Sequence, residues 1–583
     1  MSDHLDINTP KTIWNRYKNS PAAIALTYIS FLLIVTLLLI TPTYDTNDDP
    51  AMGLTVSGYG NINGPDEHLL YTNIVIGIVL KHLYVAAPLI PWYGLYLLSA
   101  LFLANWLLLY ALLLLNRNYL SILGFTFFYM VVSVYFLTHL QFTSTAFLLG
   151  MAGLVLILSS VILDSKGTHF AWLKWEGALC LIASSLIRYS SLQMLILLAL
   201  PLLLVCCFQY FKLIKFKSYV IPGTFAIIGV VSFHLYDQHY YQQDDDWKSF
   251  IQSHAAIAKV VNYAQIPYTD QTKPIFNEVG WSAFDYWMLR NWIYLDPETY
   301  SLSRVQKFQE RIDELSLRKF PQVMQVRIHT ARSAFINPTF LFCFVGSIVL
   351  MWQNKKCAWK RRTVIGMLLW TVLLMLGLVI YMKLPERVYI PLISFPLFIS
   401  LFFAVGQFRD KDDYEVSTVR SSLKYIILIL VLTSCFLTWN QKQRSDRIVR
   451  SNLRFKQDLK QIYQQMPNKI FLAVATFPIE RMLPLDNQSE INNLKYLWLT
   501  GRQNSPLFQE KMREYQIRSP FRELYETERL LLIFHPKMNP ILKGYLKQHY
   551  GVDVTLQSVM EGGYFHIYKV SKEQEEPVEA KRP

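Results

Sequence analysis

Two adjacent acids, Asp48 and Asp49, follow directly on the first apolar segment, in a stretch that reads Thr-Tyr-Asp-Thr-Asn-Asp-Asp-Pro from Thr43 to Pro50 and continues to Pro65-Asp66-Glu67-His68. That position holds both carboxylates at a lipid-water boundary, where charge is costly unless it is solvated or used. The chemistry open to such a pair is general-base catalysis on a molecule presented by a membrane. Asn47-Asp48-Asp49-Pro50 is also good turn and cap chemistry, because Asn and Asp bond their own backbone and Pro fixes φ. Glu67, in the same stretch, is a candidate for substrate contact.

The cations that could complement these acids lie far away in the chain. Arg188-Tyr189 and the turn Met382-Lys383-Leu384-Pro385-Glu386-Arg387-Val388-Tyr389 place Arg188, Lys383 and Arg387 at the ends of apolar segments. A guanidinium fork and an ammonium suit a mono- or diphosphate. Snorkelling of Arg188, or pairing of Lys383 and Arg387 with Glu386 or Asp48, would explain the same residues without a ligand. Tyr389 is a candidate for substrate contact beside them. A third group, Trp281, Asp285, Trp292 and Asp296, falls at offsets of 4, 7 and 4. On one continuous helix these four residues would share a face, and an acid-and-indole stripe suits a sugar or a lipid headgroup. An interfacial aromatic belt would enrich Trp and Tyr without any ligand.

The elements that must position these groups are membrane helices. The chain has 583 residues, 52% hydrophobic and only 17% charged, too apolar for a soluble protein of this length. Apolar runs of roughly 18 residues or more occur at 22–41, 93–115, 119–138, 144–163, 171–187, 190–208, 218–236, 335–352, 363–382, 388–406 and 422–439. The predicted class is mainly α, a polytopic bundle of about eleven spans over 1–439. Residues 68–87 are interrupted by Asn73, Lys81 and His82, and read as an amphipathic helix lying on the outer leaflet. Lys and Arg concentrate in alternate connections, notably Lys355 to Arg362. This bias predicts a multi-pass protein of the cytoplasmic (inner) membrane, with the N-terminus inside. It also accounts for much of the formal charge of +14 without a nucleic-acid partner.

Two outer loops follow from this layout: 42–92, with the acids and the membrane-lying helix, and 237–334, rich in aromatics. Residues 440–572 read as an outer α/β domain, and 573–583 as a disordered tail. Within 440–572, strands are expected at Ile470 to Thr476, Leu530 to Phe534, Val552 to Ser558 and Tyr564 to Val570, with a helix from Asn539 ended by Gly551. The first apolar run is expected to be a retained span, not a cleaved signal. All six cysteines lie in or beside spans or on the inner face, which argues against a disulfide framework or a Cys-type zinc site.

Asn47-Asp48-Asp49-Pro50, Gly280-Trp281-Ser282 with Asp285, and Leu384-Pro385-Glu386-Arg387-Val388-Tyr389, together with the overall layout, resemble the GT-C class of polyprenyl-phosphate-dependent glycosyltransferases. The resemblance implies Asp48 or Asp49 as catalytic base, Arg387 on the donor phosphate, and an inverting transfer on the outer face. It implies a lipid-linked sugar donor, the bilayer itself, and a glycan, lipid or protein acceptor as partners. No cofactor is expected: a divalent metal occurs in some branches of the class, but the spacing of acids in the later outer loops does not support one here. Two other functions share the layout. One is a polysaccharide or lipid transporter, or a ligase-like polymerase; the other is a non-catalytic membrane scaffold.

Overall fold

The computed structural model describes residues 20–165, 170–210, 217–264, 266–314, 321–352, 357–381, 384–406, 416–474, 479–499, 501–562 and 565–573. Among these, nine helices are long and apolar enough to cross a membrane, from Pro21–Leu39 to Leu423–Gln465. A tenth is the pair Met324–Ile336 and Pro338–Trp352, bent by 58°. The bend falls at Asn337, whose carboxamide oxygen accepts from the Thr339 amide at 2.9 Å. An X-Pro step disfavours the helical region for its first residue, so the chain breaks there.

The helix Ala171–Tyr210 contains one non-helical residue, Arg188, with φ −157° and ψ 102°. A methyl built on Gly150 would lie 2.8 Å from both Ser184 Oγ and Leu195 Cδ2. Those two residues are eleven positions apart in sequence and would be about 16 Å apart on an unbroken helix. The chain therefore reverses at Arg188, and 171–187 and 189–210 are antiparallel neighbours. Counted this way, the eleven expected apolar segments are all present.

Lipid is the solvent this bundle is built for. Glu386–Val405 and Phe142–Asp164 are each 89% buried, whereas Pro21–Leu39 is 17% and Ser218–Gln242 is 11% buried. The outer helices point Phe31, Leu38, Phe208, Ile227 and Leu432 outward, an apolar surface that water would not tolerate. Inside, small residues let backbones approach closely, as where Gly153 meets the Gly177 carbonyl. Residues 68–87 yield a helix, Ile74–Ala86, of only 13 residues, about 20 Å long and too short to span.

The last span does not stop at the expected boundary of 439. Val416–Gln465 is one helix of 50 residues, about 75 Å long, so beyond the bundle it becomes a stalk. The sheet domain starts only at β1, Ile470–Val474. It continues with β2, Tyr496–Leu499, β3, Leu530–Ile533, β4, Val554–Gly562, and β5, Phe565–Lys572, in the order β2-β1-β3-β5-β4. β1 is parallel to β2 and β3, and β5 is antiparallel to β3 and β4. Strand β2 was not foreseen. The helix Asn539–Tyr550 ends on Gly551, at φ +65°, as its sequence requires.

The two faces of this sheet decide where the loops go. One face shares a core with the 237–334 loop, in which Phe276, Trp281, Tyr286 and Phe308 pack with Leu472, Leu497 and Phe534. The other packs on the stalk residues Phe455 and Leu459 and on Ala51 and Leu54, which belong to the helix Asp48–Ser57. The acid-bearing segment is thus clamped between bundle and sheet.

Candidate functional site

Asp48 and Asp49 open the helix Asp48–Ser57, where negative charge meets the positive end of the helix dipole and Pro50 needs no amide hydrogen. Gly58 ends the helix at φ +76°, and a Cβ there would lie 2.4 Å from the Gly64 and Pro65 backbone. Only glycine allows the chain to turn back so tightly. The helix does begin at this stretch, but Asn47 makes no side-chain capping hydrogen bond there, so the side-chain cap that the sequence offers is not formed.

The two acids have opposite environments. Asp49 is fully buried. Its Oδ1 accepts from the Tyr93 hydroxyl at 2.9 Å and the Phe142 amide at 3.1 Å, and its Oδ2 has no hydrogen-bond partner among the described residues. Burial pushes its carboxyl well above the usual carboxylate range, and Asp48 and Asp45 add to the rise. Asp48 is partly exposed, and its Oδ2 lies 3.1 Å from Arg387 Nη1. The guanidinium uses one N–H of its five here and is itself 35% exposed.

Around this pair the fold gathers charge from distant segments. Arg188, at the reversal, donates to the Tyr71 carbonyl at 3.2 Å and lies over the Tyr71 and Phe142 rings at 5.0 and 5.2 Å. Arg502, from the sheet domain, donates to Thr55 Oγ1. Tyr71 is the common neighbour. Its phenol is pushed up to about 12 by burial and by Asp48, against the pull of Arg188, Arg502 and Arg387. The Tyr71 hydroxyl also meets His254 Nε2 at 3.3 Å. Nδ1–H of His254 donates to the Gly501 carbonyl at 2.8 Å, and burial lowers this imidazole to about 4. Beside Arg188, a cavity of about 250 Å³ is lined by Tyr71, Asn73, Tyr189, His234 and Asp237.

Sequence reasoning missed three members of this neighbourhood. Asp45 lies three residues before Asp48, and burial raises its carboxyl to about 6 against Arg444 and Arg387. Its signal was in plain view, in the same stretch. Arg444 reaches Thr43 Oγ1 at 2.9 Å from the stalk, and Arg502 comes from a domain with no recognisable motif. Neither carries any local sign of its position.

The aromatic stripe is corrected by the structure. The helix Ala283–Arg290 has only eight residues, and Trp292 follows at φ +61°, so the four residues share no continuous face. Trp281 is 1% exposed and donates its indole N–H to the Thr299 carbonyl at 2.7 Å; it is core. Asp285 is fully buried, forms a capping box with Ser282 and meets His549 Nε2 at 2.6 Å, which ties the loop to the sheet domain. Asp296 accepts from the Tyr545 hydroxyl at 2.9 Å. Trp292 lies against the His254 ring at 5.4 Å, and that ring also meets Tyr71.

The remaining candidates are placed as follows. Glu67 accepts from Tyr240 at 2.8 Å and from Lys81, which hold it below the ordinary carboxylate range despite its burial. Tyr389 is buried, edge-on to Phe340 at 6.2 Å. Lys383 lies outside the described residues. Asp66, Glu67 and His68 bring their ligand atoms within 4.8 Å of one another, a geometry not foreseen from the spacing of acids. However, Glu67 is engaged by Lys81, and His68 Nδ1 lies 2.9 Å from Asp66.

No family model matches the chain, and no curated protein matches it. Among solved structures it is similar to the crystal structure of ArnT from Cupriavidus metallidurans bound to undecaprenyl phosphate, at 11% identity and a TM-score of 0.38, over 93% of this chain and 97% of that one. A likeness at this level assigns no residue.

Proposed function

We propose that this protein is a membrane glycosyltransferase of GT-C type. It would transfer a sugar from a polyprenyl-phosphate-linked donor to a glycan, lipid or protein acceptor on the extracytoplasmic face of an inner membrane. The observation that carries this reading is the meeting of Asp48 and Arg387 at 3.1 Å, with Arg188 and Arg502 facing the same tyrosine. An acid and several guanidinium groups thus converge where a bundle built for lipid meets an outer domain.

In this reading Asp48, which solvent and Arg387 reach, is the general base. It takes the proton of an acceptor hydroxyl as that oxygen bonds to the anomeric carbon. The bond from that carbon to the phosphate oxygen breaks, and the lipid phosphate leaves with the electron pair. Its charge falls on the free N–H groups of Arg387 and on Arg188, as preorganised donors should be placed. Attack opposite to the leaving group inverts the anomeric centre. Asp49 is a positioning residue: it is fully buried, away from an acceptor hydroxyl, and fixes the helix to Tyr93 and Phe142. The reading assigns no metal step, because the guanidinium groups already supply the positive charge.

The test is transfer from a radiolabelled polyprenyl-phosphate sugar to the endogenous acceptor in membranes. Asp48→Asn is expected to lose roughly 10²–10⁴-fold in rate at normal abundance. Full activity in that variant would remove the reading.

A further inference from the structure

A second cavity, of about 610 Å³, lies between the 237–334 loop and the sheet domain, well inside the roughly 300–1,000 Å³ of ligand sites. Its lining comes entirely from 246–302 and 504–550, with no residue from a candidate span. Its wall includes Asp246, Phe250 and Ile257 of the helix Asp245–Lys259, which also carries His254 beside Tyr71.

The chemistry of its wall is mixed in a specific way. Arg513 and Arg518 line it, both are exposed, and neither guanidinium has a hydrogen bond or ion pair among the described residues. Neighbouring acids have been taken elsewhere: Glu514 holds Lys511 at 2.9 Å and Glu523 holds Arg529 at 2.8 Å. With those acids engaged, the two guanidinium groups present positive charge that no described residue balances, as a site for an anion requires. Asp246, which is exposed, also lines the cavity, and Tyr550 and the largely buried Tyr300 border it with aromatic surface. Carboxylates accept from sugar hydroxyls, aromatic faces stack on sugar rings, and guanidinium forks bind phosphate or carboxylate.

We infer that this cavity binds an anionic saccharide through Arg513 and Arg518, as a docking site for the acceptor. The role as acceptor site rests on the transferase reading; the binding itself does not. The rigid connections through Asn504 Nδ2 to the Tyr294 carbonyl at 3.0 Å and Tyr294 to the Gly501 carbonyl at 2.8 Å join this cavity to the segment carrying Arg502. A saccharide held here would be delivered toward the Asp48 mouth.

The probe is a defined tetrasaccharide bearing one phosphomonoester, titrated by isothermal calorimetry against the full-length protein in detergent, with its dephosphorylated counterpart in parallel. The expected result is binding of the phosphorylated form at least about tenfold tighter than the neutral one, and loss of that preference in the double variant Arg513→Ala/Arg518→Ala with its unfolding temperature unchanged. Asp48→Asn is expected to bind the probe like the wild type while failing in transfer. Equal affinity for the two saccharides, or an undiminished preference in the double variant, overturns the cavity assignment and leaves the transferase reading to its own test. Arg513→Lys/Arg518→Lys, which keeps charge but loses the fork, should retain part of the preference.

Discussion

Arg387 Nη1 lies 3.1 Å from Asp48 Oδ2, although 339 positions separate the two residues in the chain. A half-exposed pair of this kind contributes little to stability, typically ~0–1 kcal/mol. The contact engages one Asp48 oxygen and one guanidinium N–H, and among the described residues no side-chain hydrogen bond engages the rest of either group.

Arg387→Ala is therefore expected to lower transfer strongly with only a small change in unfolding temperature. Arg387→Lys should recover part of the rate, since a point charge replaces a fork. Single-turnover kinetics at saturating donor check this; equal rates for Ala, Lys and the native residue would remove Arg387 from the donor phosphate.

Asp49→Asn should behave in the opposite way to Asp48→Asn. The amide oxygen can still accept from Tyr93 and Phe142, and no buried charge is left to form. Because the folded-state carboxyl of Asp49 is raised, the folded protein prefers the protonated acid. The contribution of Asp49 to stability is thus greatest below the ordinary carboxylate range, and falls as pH rises from there toward the folded value. Thermal unfolding measured across that range should show this slope in the native protein and a flatter one in Asp49→Asn.

Burial raises the Asp45 carboxyl to about 6, so the charge of the site is expected to change near that pH. Below it, Asp45 is neutral and the arginines face fewer acids. The rate of transfer is expected to change with an apparent pKa near this value, and Asp45→Asn should abolish that inflection. A pH profile of the variant that keeps the same inflection would assign it to another group.

The pair of Asp285 and His549 couples the aromatic loop to the sheet domain. His549 is raised by its hydrogen bond to Asp285, and Asp285 is lowered by His549 despite burial. Its contribution is full below the ordinary imidazole range, fades as pH rises through the raised value of His549, and is lost again in strong acid. Limited proteolysis between loop and domain should accelerate at alkaline pH. His549→Ala should make it fast at neutral pH too.

Much of the membrane part was legible in the chain because the bilayer acts on each segment separately. A run such as 388–406 declares itself by length and apolarity alone, and a reversal such as that at Arg188 is marked by the charge between two such runs. Gly551 likewise ends its helix by local backbone preference. Trp281 and Asp285 could not be read this way. Their spacing matched a helical stripe, but the helix stops at Arg290 because Trp292 adopts a left-handed conformation, and one of the two became core and the other a cap and tether. Whether an acid stays within reach of solvent or is fully buried, as Asp48 and Asp49 respectively are, depends on which neighbours remove its water. That was settled by Tyr93, Phe142, the stalk and the sheet, all remote in sequence, because burial and electrostatic field are properties of the packed assembly and not of adjacent residues.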